Sequence, residues 1–441
     1  MLINYLPLYF SWQKVPKIVL CIHIENTCIL YGYIFFRGLN MKKNTSLILK
    51  IFLALLIGIS LGLLCKYINI DFPIRILSTF SELFGSFLSF IIPLIMIGFI
   101  VPGIASLGNN SGKALLITTV LAYISTLGAG FLAFIVGSNI LPKFLKTNTL
   151  VLASGNDISS LFTIDISPMM SVTSALIFSF IMGISLSKIK NSSILNLFNE
   201  FNVIVLNITS KALIPIVPFY IGSIFAKLSF SGKIFTTIKS FAIVYTILFL
   251  LQGLYILIQY SFASTINKSN PFKLIKNMIP AYLTAVGTQS SSATIPVTAE
   301  CVKNNEVSEE VTDFVIPLAA TIHLAGDTIT LVLTSMAVMY MTGRVPTLSV
   351  MLPFIFMLGV TMVAAPGVPG GGVMAALGIL ESMLGFGTLE KPIMIALHAA
   401  QDSFGTATNV TGDGAIAIIM DKILNKDTEI SNTLNNNPVL E

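Results

Sequence analysis

Charged side chains are scarce in this chain. Of 441 residues, 25 are Lys or Arg and 20 are Asp or Glu, or 10%, against about a quarter in a soluble domain. So few charges do not cover the surface of a soluble globule, which excludes an ordinary soluble enzyme. A hydrophobic content of 54% excludes a disordered chain. There is no basic stripe, and the net charge of +5 is small for the length, so a nucleic-acid binder is excluded too. An excess of Lys and Arg is what membrane proteins carry in cytoplasmic loops. Four cysteines (Cys21, Cys28, Cys65, Cys301) lack the spacing of a disulfide framework or a zinc site. Period-two alternation is also missing, which argues against strands.

What the chain has in abundance is long apolar runs. Residues 46–67, 77–107, 114–141, 169–186, 195–228 and 235–262 follow one another, with a polar stretch at 143–167. Each run is expected to cross about 30 Å of hydrocarbon at about 1.5 Å per residue. Residues 1–40 do not match this pattern. Their apolar runs are short and broken by Lys14, Lys17, His23 and Glu25. Met41, followed by Lys42 and Lys43, opens the first clean span. Residues 1–40 therefore read as an upstream extension outside the fold, or as a peripheral arm. Residues 429–441 form a polar tail.

After Lys276 the apolar segments are interrupted. Gln289, Ser290, Ser291, Ser292 and Pro296 break one; Pro366, Gly367, Pro369 and Gly370 to Gly372 break another. Broken backbone at membrane depth is tolerated only when buried in protein or facing a watery cavity. Each interrupted segment precedes a full span (311–341 and 393–420), the pattern of an inverted repeat with two re-entrant hairpins at 272–302 and 350–386. Two kinked ordinary helices are the plainer alternative.

Carboxylates inside such segments are costly and point to function. Asp402 and Asp413 lie about three turns apart, with Thr406 and Asn409 on the same face. The central parts of these spans contain no Lys or Arg, so the acids call for a cation: a metal ion, a proton or a ligand ammonium. In the preceding span Gly326 lies in a polar cluster with His323 and Asp327, which suggests unwinding there. His398 reads as structural.

Four motifs in order resemble the dicarboxylate/amino acid:cation symporter family, the glutamate-transporter homologues. They are SSSATIPVT (290–298), PLAATIHLAGDT (317–328), PGVPGGG (366–372) and NVTGD (409–413). The resemblance covers residues 41 to about 428. It implies an all-α polytopic membrane protein with eight transmembrane helices, two re-entrant hairpins and inverted repeats, assembled as a homotrimer in the bacterial inner membrane. Helices one, two, four and five would form a scaffold. Helices three, six, seven and eight and both hairpins would form a part that moves across the bilayer. The second hairpin tip would gate the outside.

Carried over by motif, Asp402 would hold a substrate amino group. Asn409, Thr406, Ser291 and Ser292 would hold its carboxylate. Asp327, Val368, Gly372 and Gly405 would line the rest. Asn409 and Asp413, with carbonyls near Ala319 and His323, would form a sodium site. Thr321 and the second tip would form another, and Tyr123 and Thr126 part of a third.

The departures matter as much. Carriers of acidic amino acids have an Arg where this chain has Gly405, and a guanidinium is the natural partner of a side-chain carboxylate. The family's NMDGT reads HLAGD here, so the third sodium site loses its acid at Ala325 and an acid appears at Asp327. Asp327 would either repair an ion site or face a polar or cationic substrate side chain. The imidazole at His323 is a side chain able to carry a proton, which keeps proton coupling open. The expected function is symport of a small neutral or polar amino acid with sodium or protons, without other cofactors. A dicarboxylate or acidic amino acid is the alternative. An intramembrane serine hydrolase using Ser291 or Ser292 with His323 is a remote one, and a passive channel would leave the enclosed site unexplained.

Overall fold

A computed structural model describes residues 47–106, 113–145, 159–164, 166–189, 192–232, 234–367 and 369–435. The expectations for residues 1–40, for Val368 and for the end of the tail (436–441) lie outside the described residues. Among the described residues every regular element is helical. Six helical stretches are long and apolar enough to cross a membrane.

The first group of helices is α1 (Leu47–Tyr67), α2 (Phe72–Ser106), α4 (Val172–Leu186), α5 (Ser193–Ile208) and α6 (Ile214–Phe230), with α3 (Lys113–Phe144) inserted in the chain but packed elsewhere. α1 lies along α6 because Gly58 and Gly62 bring its backbone against the carbonyls of Gly222 and Ala226. Small residues at this spacing are how helices approach where lipid removes the hydrophobic drive. α2 packs on α4, α5 and α6.

Two details of this group differ from the sequence expectation. α4 has 15 residues, about 22 Å at helical rise, and is too short to cross hydrocarbon alone. Ser171 ends it early by accepting from the Ser174 N–H. The run at 195–228 is not one regular helix either. A π turn, Thr209–Leu213, separates α5 from α6. Pro215 supplies no N–H there, and the ladder re-registers by one residue, with the Ile214 N–H reaching Thr209.

The second group centres on α15 (Glu390–Asn435). Around it pack α7 (Ile234–Asn267), α9 (Ile279–Thr288), α10 (Ser291–Lys303), α11 (Glu309–Ile322) and α12 (Ala325–Met341). α8 (Pro271–Asn277) leads into α9, and α3 lies against α12 and α13 (Leu348–Val363). α13 packs on α14 (Gly371–Leu384), which also touches α2 and α4. Every residue of α12 is buried, so it is a central helix rather than an amphipathic one.

The breaks fall where serine, glycine and proline predict them. α9 ends at Gln289, in the left-handed conformation (φ 54°), and Ser290 caps α10 by accepting from the Ala293 N–H. α13 ends at Val363, and α14 starts after Gly370. The span at 311–341 is interrupted, but at His323 and Leu324, not at Gly326. Gly326 is already in the first turn of α12. Its hydrogen atom side faces the carbonyl of Gly405 and the side chains of Thr408 and Asn409, where a Cβ has no room. This glycine serves close helix approach, not unwinding.

Candidate substrate and cation site

The helix breaks converge on one narrow cavity of about 10 Å³. It is lined by Ser291 and Gln289 from the first tip, Leu324 and Asp327 from the break before α12, Pro366, Gly367 and Gly372 from the second tip, and Asp402, Thr406 and Asn409 from α15. Of the residues expected at a substrate site, Ser291, Asp327, Gly372, Asp402, Thr406 and Asn409 line it. Gly405 lies beside it, the position of its missing Cβ being 3.4 Å from Asp327 Oδ1. Ser292 is exposed, with its hydroxyl turned toward Gly367.

Ser290 ties the tips together. Its hydroxyl donates to the Gly367 carbonyl at 2.7 Å. Each tip leaves backbone groups free at a helix end, and here one side chain joins them. The serine run was legible in sequence, but not which serine bridges.

The expectation of acids without a basic partner is corrected by the structure. Asp327, Asp402 and Asp413 are all at most 4% exposed. The partners are histidines, not Lys or Arg. His398 Nε2 lies 2.7 Å from Asp327 Oδ1, and His323 Nδ1 lies 2.9 Å from Asp413 Oδ1. The other Asp327 oxygen accepts from Asn409 Nδ2 at 2.7 Å. Both oxygens of Asp327 are therefore satisfied within the protein. His398, read from sequence as structural, is part of the site. Its Nδ1 has no partner and lies 3.9 Å from Asp402 Oδ1, the i,i+4 relation that one helical turn imposes.

Asp402 stands apart. Its Oδ2 accepts from the Gly370 N–H at 2.9 Å, which attaches α15 to the second tip. Its Oδ1 has no hydrogen-bond donor among the described residues. Asp327, His398 and Asp402 lie within 4.8 Å of one another through their ligating atoms.

Asn409 organises the start of α12. Its Oδ1 accepts from the Gly326 N–H at 2.7 Å and from the Asp327 N–H at 3.4 Å. A side chain from α15 thus satisfies two of the orphan donors at this helix start, and Asp327 in the first turn complements the helix dipole.

The residues expected at cation sites are brought together only in part. The Ala319 carbonyl accepts from the His323 N–H at 2.9 Å. Thr321 is exposed and bonds to the Leu318 carbonyl. The Tyr123 hydroxyl donates to the Phe356 carbonyl at 3.3 Å, and its ring lies against Gly359 on α13. Thr126 is buried, with a hydroxyl lacking a partner. Ser125 and Gln259, which the sequence did not single out, complete the surroundings of His323. Ser125 Oγ is 2.9 Å from its Nε2, and Gln259 Nε2 donates to Ser125 Oγ at 2.9 Å. Tyr255 donates to the Ser125 carbonyl. Neither Ser291 nor Ser292 bonds to His323, whose ring nitrogens are both engaged elsewhere.

A profile of the sodium:dicarboxylate symporter family matches residues 47–423. The chain belongs to the sodium:dicarboxylate symporter family. It is 24% identical over 266 residues to neutral amino acid transporter A of Homo sapiens, covering 59% of this chain and 49% of that protein. It is 32% identical over 185 residues to excitatory amino acid transporter 5 of Homo sapiens, covering 40% and 31%. It is 26% identical over 271 residues to excitatory amino acid transporter 1 of Ambystoma tigrinum, covering 60% and 49%. The chain spans half or less of the length of these relatives. Membership in a symporter family and a set of apolar spans make this an integral membrane protein and not an enzyme.

Proposed function

We propose that the protein is a secondary active symporter that carries a small neutral or polar amino acid across the cell membrane, driven by sodium or protons. The observation that carries this reading is Asp402. Of the two acids that line the cavity, Asp327 has both oxygens bonded and Asp402 has one without a protein donor among the described residues, and an α-ammonium group is the matching donor. The substrate carboxylate is assigned to the first tip at Ser291 and Ser292, with Thr406 and Asn409. Gly405 argues for a neutral or polar side chain, of serine or threonine kind, since no guanidinium is present there to pair with a second carboxylate.

The architecture behind this reading is the family's eight membrane helices, with α4 the short one among them, and two re-entrant hairpins. α1, α2, α4, α5 and α6 form the scaffold of a homotrimer, and α3 with α7 to α15 forms the moving part. Ser290 on Gly367 supports a closed pair of tips, and alternating access requires this contact to break. Candidate cation ligands carried over from the family motifs are Ala319, Thr321 and Asn409, with Tyr123 and Thr126 on α3; His323 and Asp413, also carried over, are paired with each other.

The test is uptake into proteoliposomes, with serine, threonine, aspartate and succinate as competing substrates, under a sodium or a proton gradient. Sodium- or proton-driven serine or threonine uptake is expected. Preference for aspartate or succinate would establish the dicarboxylate alternative instead.

A further inference from the structure

Asp413 sits fully buried in α15, where a bare carboxylate costs several kcal/mol of desolvation by order of magnitude. Something positive or hydrogen-donating must meet it. For Oδ1 the structure supplies that group from the chain itself, while Oδ2 has no hydrogen-bond partner among the described residues. The His323 side chain is 0% exposed and places Nδ1 2.9 Å from Asp413 Oδ1. A ring nitrogen facing a carboxylate carries the hydrogen, so Nδ1 donates.

The ring is held from its other side as well. Nε2 meets Ser125 Oγ at 2.9 Å, and that serine in turn accepts from Gln259 Nε2. Ser125 belongs to α3 and Gln259 to α7, so three helices converge on the imidazole. Its seat is shaped by Gly412. A Cβ there would lie 2.7 Å from His323 Cε1 and 2.8 Å from Gln259 Nε2. Glycine beside Asp413 therefore makes the room that a ring needs and a small ion does not.

We propose that His323 is a resident substitute for a bound cation at Asp413, so that this position takes no sodium. Its ring fills the position at Asp413 Oδ1 that an ion would take, leaving only Oδ2 without a partner. Cation coupling, on the reading given above, then depends on the other candidate ligands and on whatever the His323 pair itself exchanges. The inference rests on that reading only for its meaning in transport. The occupancy of Asp413 can be measured without any substrate.

The experiment counts radioactive sodium bound per chain to the purified full-length protein in detergent, with choline balancing ionic strength. Wild type is compared with Asp413→Asn, His323→Asn, and the double variant. The expected result is that Asp413→Asn leaves the sodium count of wild type unchanged. His323→Asn is expected to gain an extra sodium per chain, and the double variant to lose it again. His323→Gln replaces His323→Asn if the latter is not monodisperse. Loss of a bound sodium from wild type on Asp413→Asn would overturn the proposal, as would equal counts in wild type and a folded His323 variant. Failure of amino acid uptake bears on the symporter reading alone, because the sodium count is independent of uptake.

Discussion

Two pairs of close-packed helices run through this protein, and they are filled in opposite ways. Between α1 and α6 the contact is made by glycine against carbonyl, at Gly58 on Gly222 and Gly62 on Ala226. Between α12 and α15 glycine also permits the approach, at Gly326 beside Gly405, but the seam is crowded with Asp327, His398, Asp402 and Asn409. The first seam can only hold helices together. The second holds them together through groups that a passing ligand or ion can compete for. Polar contacts inside a membrane are retained where they do chemistry, because apolar packing gives adhesion without their desolvation cost.

That contrast can be broken in order of expected effect. Gly58→Val forces a branched side chain into the Gly222 carbonyl and is expected to cost about 3 kcal/mol or more. The readout is loss of monodisperse protein and of apparent Tm. An unchanged Tm would show that α1 does not depend on this seam. Asp402→Asn keeps the shape of the second seam and removes its one unpaired charge. It is expected to weaken amino acid binding roughly 100-fold, or about 2.7 kcal/mol. The apparent Tm of the ligand-free protein should barely move. Intact binding in Asp402→Asn would remove Asp402 from the substrate site.

The pairing of Asp327 with His398 predicts a smaller, specific effect. Asp327→Asn and His398→Gln should each reduce thermal stability, and the double variant should be less than additive by about 1–3 kcal/mol. Full additivity, measured by a double-mutant cycle of unfolding, would mean that the 2.7 Å contact carries no coupling. The smallest effect is expected at the tips. Ser290→Ala removes one hydrogen bond of about 0.5–1.5 kcal/mol. Substrate binding should weaken severalfold, with faster labelling of a cysteine placed at Gly367. Slower labelling would contradict the bridging role.

Several parts of this organisation were readable in the chain. Long apolar runs without alternation fix helices, since a lone strand leaves its backbone unpaired in lipid. The serine and glycine–proline interruptions marked α9–α10 and α13–α14 to within a few residues. Asp402, Thr406 and Asn409 shared a helical face by spacing alone, and all three line the cavity. The break before α12 was legible as a polar cluster but was assigned to Gly326, because a glycine in sequence does not say whether it frees its own backbone or admits a neighbour's. The Asn409 side chain decides the matter by capping α12 at Gly326.

The partners of the acids were not legible. His398 lies one turn from Asp402 on the same helix, yet its bond is to Asp327, 71 residues away in the chain. His323 meets Asp413 90 residues on, and is held by Ser125 and Gln259 from two further helices. Nothing in local spacing encodes such contacts. They arise only when α3, α7 and α12 close around α15.

By itself, then, the sequence determined the solvent, the helices, the places where they break and the acids that cannot be there without a reason. Those follow from composition and periodicity, which act over a few residues. Tertiary packing alone decided that Asp327 and Asp413 meet imidazoles and that Asp402 meets a backbone N–H and keeps one oxygen facing the cavity. Pairing inside a membrane depends on which side chains distant segments bring within 3 Å or so of one another.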